Sequence, residues 1–206
     1  AELLDVMKAA QIVHDEGIAT PILLGHKPTI EKLKEELEFD AEVPIIDPRS
    51  DEFSEMRTRY ALKLWELRKR KGETKYSARV NMGKRNYFGA MMLKEGDADG
   101  MISGYSRSYP KVLRPVFEVL GRAKDVKNAS TVNIMITDRG PLFLADTSIN
   151  IDPNAEELAE IAQMTANVAQ TFGFNPVMAL LSYANFGSSS HPNAQKVKEA
   201  VRILHE

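Results

Sequence analysis

The chain has 206 residues, 43% hydrophobic and 27% charged, with a formal net charge of −2 at pH 7. That length suits one large or two small globular domains, and the charge offers no general attraction to nucleic acid or an anionic membrane. The absence of cysteine excludes a disulfide framework, a thiol nucleophile and any cysteine-ligated metal. Apolar runs of only a few residues, with no basic and apolar leader, predict a cytoplasmic protein.

The first predicted helix is already running at the start, with Leu3, Leu4, Met7, Ala10, Ile12 and Val13 on one stripe and Gly17 closing it. A short strand over Pro21 to Leu24 follows, then a helix from Pro28 to Leu37, then a second strand over Val43 to Ile46. This alternation predicts an α/β fold with a parallel sheet covered by helices. Ser50 to Arg70 reads as a long helix carrying Phe53, Met56, Tyr60, Leu64 and Leu67, and its basic end, Arg68 to Lys71, precedes a terminating Gly72. A further helix is predicted over Ser77 to Lys94, with Met91 and Met92 at core spacing.

The stretch Gly96 to Pro115, GDADGMISGYSRSYPKVLRP, holds the first candidate site. Asp97 to Ser103 reads as a buried strand, Gly104 to Ser108 as a loop of small and hydroxyl residues, and Pro110 as the first turn of a helix over Tyr109 to Leu120. A helix N-terminus carries roughly half a positive charge and unpaired N–H groups, so phosphate can settle there. Ser108 is placed to cap, and Arg114 adds a forked donor one turn on. An ordinary strand-loop-helix junction with capping serines remains the competing reading.

The charged connector Gly121 to Ser130 suggests a domain boundary, giving units 1–125 and 126–206. Thr131 to Thr137 and Pro141 to Thr147 flank Asp138-Arg139-Gly140 and predict an antiparallel hairpin. A helix capped by Asp152, with Pro153 at its first position, runs to Gly173. Pro176 to Leu181 reads as another buried strand. Ser182 to Ser190 then repeats the hydroxyl-rich design before His191-Pro192 and a last helix, predicting a ligand cleft between two domains with one loop on each wall. The helical patterns running at both ends predict that the natural protein extends further.

Other chemistry finds little support. His14, His26, His191 and His205 have no zinc spacing, and there is no GxGxxG, Walker A or GxSxG motif. Asp97 and Asp99 share a face of the presumed strand, as a metal or proton pair would, or as aspartates bonding loop amides would.

Several motifs together closely resemble the phosphate acetyl/butyryltransferase family: NYFGAMM from Asn86, the GDADG run with Ser103-Gly104, and Leu113-Arg114-Pro115. The segments IMITDRGPLFLADTSINIDPNAEELAEIA and ALLSYANFGSSSHPNAQKVKEAVRILHE look like the version fused to the C-terminus of bacterial NADP-dependent malic enzymes. The resemblance spans nearly the whole chain. It implies two three-layer α/β domains, sheets parallel or mixed, with a cleft between them in the isocitrate/isopropylmalate dehydrogenase-like topology.

The departures are informative. Where the transferases resemble TTAxTLRP, this chain has Tyr105-Ser106-Arg107-Ser108-Tyr109-Pro110-Lys111 before Leu113-Arg114-Pro115, and where they have KGSG it has Asn185-Phe186-Gly187-Ser188. The family's catalytic serine and aspartate are expected beyond Glu206, so no catalytic residue is assigned within these residues. By motif position Arg68 and Arg114 match arginines that contact CoA or acyl phosphate, while Ser103, Gly104, Ser182, Gly187 and Ser188 match the two cleft loops. Ser106, Arg107 and Ser108 of the rewritten loop complete the candidate set.

The resemblance further implies a regulatory, acetyl-CoA-binding and homo-oligomer-forming domain with no cofactor of its own and no nucleic-acid or membrane partner. Preceding malic enzyme domains in the same chain would hold NADP and a divalent metal, Mg or Mn. An active phosphate acetyltransferase and a non-binding dimerisation scaffold are the alternatives.

Overall fold

The computed structural model describes residues 1–124, 126–185 and 188–206. They form two compact units, Ala1–Gly121 and Arg122–Glu206, of α/β character.

In the first unit, α1 (Leu4–Asp15), β1 (Leu23–Leu24), α2 (Lys27–Glu36) and β2 (Ile45–Ile46) realise the predicted alternation, with β1 and β2 paired in parallel, Leu23 against Ile45. The strands are shorter than predicted because the ladder extends over only two residues of each. Met7, Leu23, Ile30, Phe39 and Val43 close a core around this pair.

A single turn of 3-10 helix, Asp51–Phe53, leads into α3 (Ser54–Arg68), and a second, Lys69–Lys71, ends at Gly72. Gly72 has φ +87°, a left-handed conformation that glycine adopts without a Cβ penalty, as a helix-terminating residue should. The helix predicted over Ser77 to Lys94 is two helices, α4 (Lys75–Met82) and α5 (Arg85–Glu95). Lys84 is extended, at φ −102° and ψ 123°, and Arg49 Nε donates to the carbonyl of Gly83 at 3.2 Å, so the break is held from outside.

α6 (Tyr109–Val119) completes the unit. Tyr60, Leu64, Met82, Phe88 and Met91 are fully buried among α3, α4 and α5, each large apolar side chain there being worth roughly 1.5–3 kcal/mol. Met91 and Met92 thus pack in the core, as their spacing indicated.

The stretch from Asp97 to Ser103 is not a buried strand. Asp97 accepts hydrogen bonds from Tyr60 and, at 2.8 Å, from Arg59, while Ile102 is fully exposed and no ladder forms. Asp97 is therefore spent on anchoring the loop to α3, and among the described residues no group of three or more metal-ligating side chains converges. No helix among them is long and apolar enough to cross a membrane.

The second unit opens with the predicted hairpin, β3 (Asn133–Thr137) and β4 (Gly140–Leu144), antiparallel with Thr137 against Gly140. The Thr137 hydroxyl donates to the Gly140 carbonyl at 2.7 Å and accepts from the Arg139 N–H at 3.2 Å, fixing the two-residue turn. α7 (Ala155–Thr171) packs against α8 (Pro192–His205) through small residues, Ala155, Ala159, Ala169, Ala194 and Ala200.

The cap of α7 is Asn154, two residues after the predicted Asp152. Its side chain accepts from the Glu157 N–H at 2.8 Å while Glu157 accepts from Asn154 at 2.9 Å, a reciprocal pair that Asp152 cannot make from its position. The predicted strand Pro176 to Leu181 is likewise unpaired, with Val177 fully exposed and Leu181 largely so.

Asp146 ties the unit's loops together. It accepts from the N–H and hydroxyl of Thr131, from the Ser148 N–H at 3.2 Å, and from the Asn150 backbone and side chain, each at 2.6 Å. Burial alone would raise its carboxyl, but these bonds hold it well below the usual carboxylate range.

Candidate functional site

Unit 1 carries a groove of about 910 Å³, and its lining is strongly cationic. Arg49, Lys84, Arg85, Arg107, Lys111 and Arg114 face it, six cations against the two carboxylates Glu2 and Asp47. Glu2 is already engaged, pairing with Arg85 at 3.0 Å and accepting the His26 N–H at 2.7 Å. The groove therefore keeps a positive excess.

The rim containing Arg114 is built from α6 and α5. Pro115 lies inside α6 and has no N–H to give the carbonyl of Lys111, four residues earlier. Asn86 of α5 donates to that carbonyl at 3.2 Å, and its own side-chain oxygen accepts the Ser103 hydroxyl at 2.9 Å. One asparagine thus repairs the proline break and fastens the loop to the start of α6. Gly104 then turns the chain at φ +127°, a region L side chains rarely adopt.

From there the loop is exposed. Ser106 lies on it, Tyr105 donates to Asp5 of α1, and Arg107 and Lys111 line the groove with no carboxylate partner among the described residues. Ser108 occupies the N-cap of α6, at φ −63° and ψ 143°, but its hydroxyl makes no capping bond, contrary to expectation. Its own carbonyl takes the Lys111 N–H at 2.9 Å instead.

Behind the rim sits Glu118, whose side chain is only 12% exposed. One oxygen accepts Arg114 Nε at 2.8 Å and lies 3.4 Å from an Arg68 terminal nitrogen, and the other accepts the Tyr87 hydroxyl at 2.5 Å. Burial opposes ionisation, yet the bonds from Tyr87 and Arg114 and the charge of Arg68 hold the Glu118 carboxyl below its ordinary value. Burial, with the bond to Glu118, pushes the Tyr87 phenol up to about 12. Arg68 is turned inward, its Nε buried without a partner among the described residues, and does not line the groove, unlike Arg114.

The predicted residues of the second loop lie in unit 2. Ser182 closes a turn on itself, donating to the Ala184 carbonyl at 3.0 Å and accepting the Ala184 N–H at 3.2 Å. The Ser188 N–H donates to the Asn185 carbonyl at 3.0 Å. Tyr183 and Ser189 share a hydroxyl bond of 2.8 Å, and Ser189 accepts the His191 N–H. Gly187 lies outside the described residues.

The residues outside the predicted set are Glu118, Asn86, Tyr87, Lys111, Arg49, Lys84 and Arg85. Glu118 had a legible signal, since it falls four residues after Arg114 on the same helix face. Arg49 and Arg85 had none, because only the fold brings them to the groove.

Comparison with known proteins accounts for this framework. The family model Phosphate acetyl/butaryl transferase matches residues 1–206. A phosphate acetyltransferase from Thermoanaerobacterium thermosaccharolyticum is 40% identical over 205 residues, 96% of this chain and 61% of that protein. The NADP-dependent malic enzyme of Escherichia coli is 36% identical over 207 residues, 98% of this chain and 27% of the enzyme. A phosphotransacetylase structure from Streptococcus pyogenes superposes with a TM-score of 0.84 at 35% identity, covering 98% of this chain and 61% of that one. The chain thus spans about three fifths of these two transferases and about a quarter of the malic enzyme. It belongs to the phosphate acetyl/butaryl transferase family.

Proposed function

We propose that this chain is an acetyl-CoA-sensing regulatory and oligomerisation portion of an NADP-dependent malic enzyme. The observation that carries the ligand is the groove of unit 1, where six cations face two carboxylates and Arg107 and Lys111 have no acidic partner among the described residues. Such a surface suits the phosphates of CoA, which are anionic, extended and met by forked guanidinium donors.

The regulatory part rests on the loop chemistry and on the malic enzyme relatives. Ser108, Tyr109 and Val112 stand where the TTAxTLRP pattern of the transferases has threonines, so the loop keeps one small hydroxyl of the three, and Arg107 before them adds charge. A site that binds without turnover regulates if its affinity differs between two quaternary states, and the coupling then runs in both directions. NADP and a divalent metal would belong to the malic enzyme domains of the same protein.

A second reading, an active phosphate acetyltransferase, is favoured by the 40% identical relative. Calorimetric titration of the full-length protein with acetyl-CoA, together with assays of malate-dependent NADP reduction and of acetyl phosphate formation, tests both. Saturable binding that lowers malate turnover is the expected result. Acetyl phosphate formation dependent on Ser103 or Arg114 would establish the second reading, and no binding at millimolar ligand would leave a scaffold.

A further inference from the structure

The geometry points to Glu118 as a positioning residue that holds the guanidinium of Arg114 at the groove rim with both terminal nitrogens left for an anionic ligand. This assignment rests on the anion-binding reading above.

Arg114 needs such a hold. Its side chain is 74% exposed, and an arginine at that exposure samples many rotamers unless something fixes it. The contact with Glu118 runs through Nε alone, at 2.8 Å, which leaves the two terminal nitrogens free of that bond. The anchor is itself immobile. Glu118 is 12% exposed and is gripped from two other helices, by Tyr87 of α5 at 2.5 Å and by Arg68 of α3 at 3.4 Å.

The opposite role, a carboxylate that competes with the ligand for Arg114, fits the charges less well. Arg68 and Arg114 share one carboxylate, so the cluster of three keeps a net positive charge. The inward Arg68, 19% exposed, stands as the partner that offsets Glu118, while the charge of Arg114 remains at the rim. Arg68, assigned to a CoA phosphate by motif position, therefore acts through Glu118 in this arrangement.

The test is calorimetric titration of the full-length protein with two probes, acetyl-CoA and inorganic pyrophosphate, in the parent, Glu118→Gln, Arg114→Lys and the double variant. Glu118→Gln keeps the shape and removes the charge that holds Nε, and Arg114→Lys keeps a charge but has no Nε to hold. Each is expected to weaken both probes about tenfold, with the double variant no weaker than either single one, because both changes remove one contact. A purely structural role for Glu118 would instead lower affinity again in the Arg114→Lys background, and that additivity overturns the assignment.

Unchanged or tighter binding by Glu118→Gln also overturns it. Should Glu118→Gln lose its fold by circular dichroism, Arg114→Lys decides alone, since its exposed side chain does not support the core, and parental affinity in that variant sinks the proposal. A parent that binds neither probe removes the anion-binding reading and this one together. A parent that binds while Glu118→Gln matches it removes this one only.

Discussion

The two hydroxyl-rich loops look alike in sequence and differ in their surroundings. Gly104 to Ser108 leads into a helix bearing Lys111 and Arg114, and with Arg107 these line a groove that Arg49, Lys84 and Arg85 also line. Ser182 to Ser190 contains no lysine or arginine, and its described hydroxyls satisfy one another and the local backbone, Ser182 with Ala184 and Ser189 with Tyr183. The first loop therefore stands among cations and the second, in its described residues, does not. What separates the two is unpaired positive charge held by a packed scaffold.

The largest effect should come from the scaffold. Phe88→Ala empties a fully buried position in contact with Tyr60, ring centroids 5.1 Å apart, and should cost about 3–5 kcal/mol. Hydrogen exchange would show the loss as faster exchange in α3 and α5. Ile136→Ala, on an 81% exposed hairpin residue, should change stability by less than about 0.5 kcal/mol. Comparable losses at the two sites would erase the difference in packing between the regions.

Arg114→Ala comes next. Removing a charged donor should cost roughly 1.5–3 kcal/mol of acetyl-CoA binding, about a ten- to hundredfold loss of affinity, with malate turnover intact. Equal inhibition by acetyl-CoA in variant and parent would detach the groove from regulation.

In the second region the sensitive group is Asp146. Its folded-state carboxyl lies below its unfolded value, so it stabilises above pH of about 4 and loses that contribution as pH falls toward the depressed folded value. Asp146→Asn should cost about 1–2 kcal/mol at neutral pH and flatten the acid limb of a denaturation profile of unit 2. An unchanged acid limb would show that other carboxylates set it. The smallest effect belongs to Ser182→Ala, where acetyl-CoA affinity should stay within about twofold of the parent, because its hydroxyl is committed to Ala184.

Much of this was legible in the sequence. The periodic stripes of α1, α2, α3 and α6, the hairpin about Asp138-Arg139, and Arg114 one turn into α6 follow from local patterning, while Arg107 came from the rewritten family loop. Capping and pairing were less visible. Asn154 displaced Asp152 because a reciprocal bond with Glu157 needs a three-residue spacing, and Asp97 to Ser103 remained unpaired because apolar character cannot supply a neighbouring strand. Glu118 escaped notice because its role depends on Tyr87 and Arg68 arriving from two other helices.

The most direct test sets the two loops against each other in one experiment. The full-length protein, an Arg107→Ala/Arg114→Ala variant and a Ser182→Ala/Ser188→Ala variant are titrated with acetyl-CoA by calorimetry. Loss of more than about tenfold in the arginine variant, with near-parental affinity in the serine variant, is the expected result. Retained affinity in the arginine variant, or a larger loss in the serine variant, would contradict the assignment of ligand binding to the groove of unit 1.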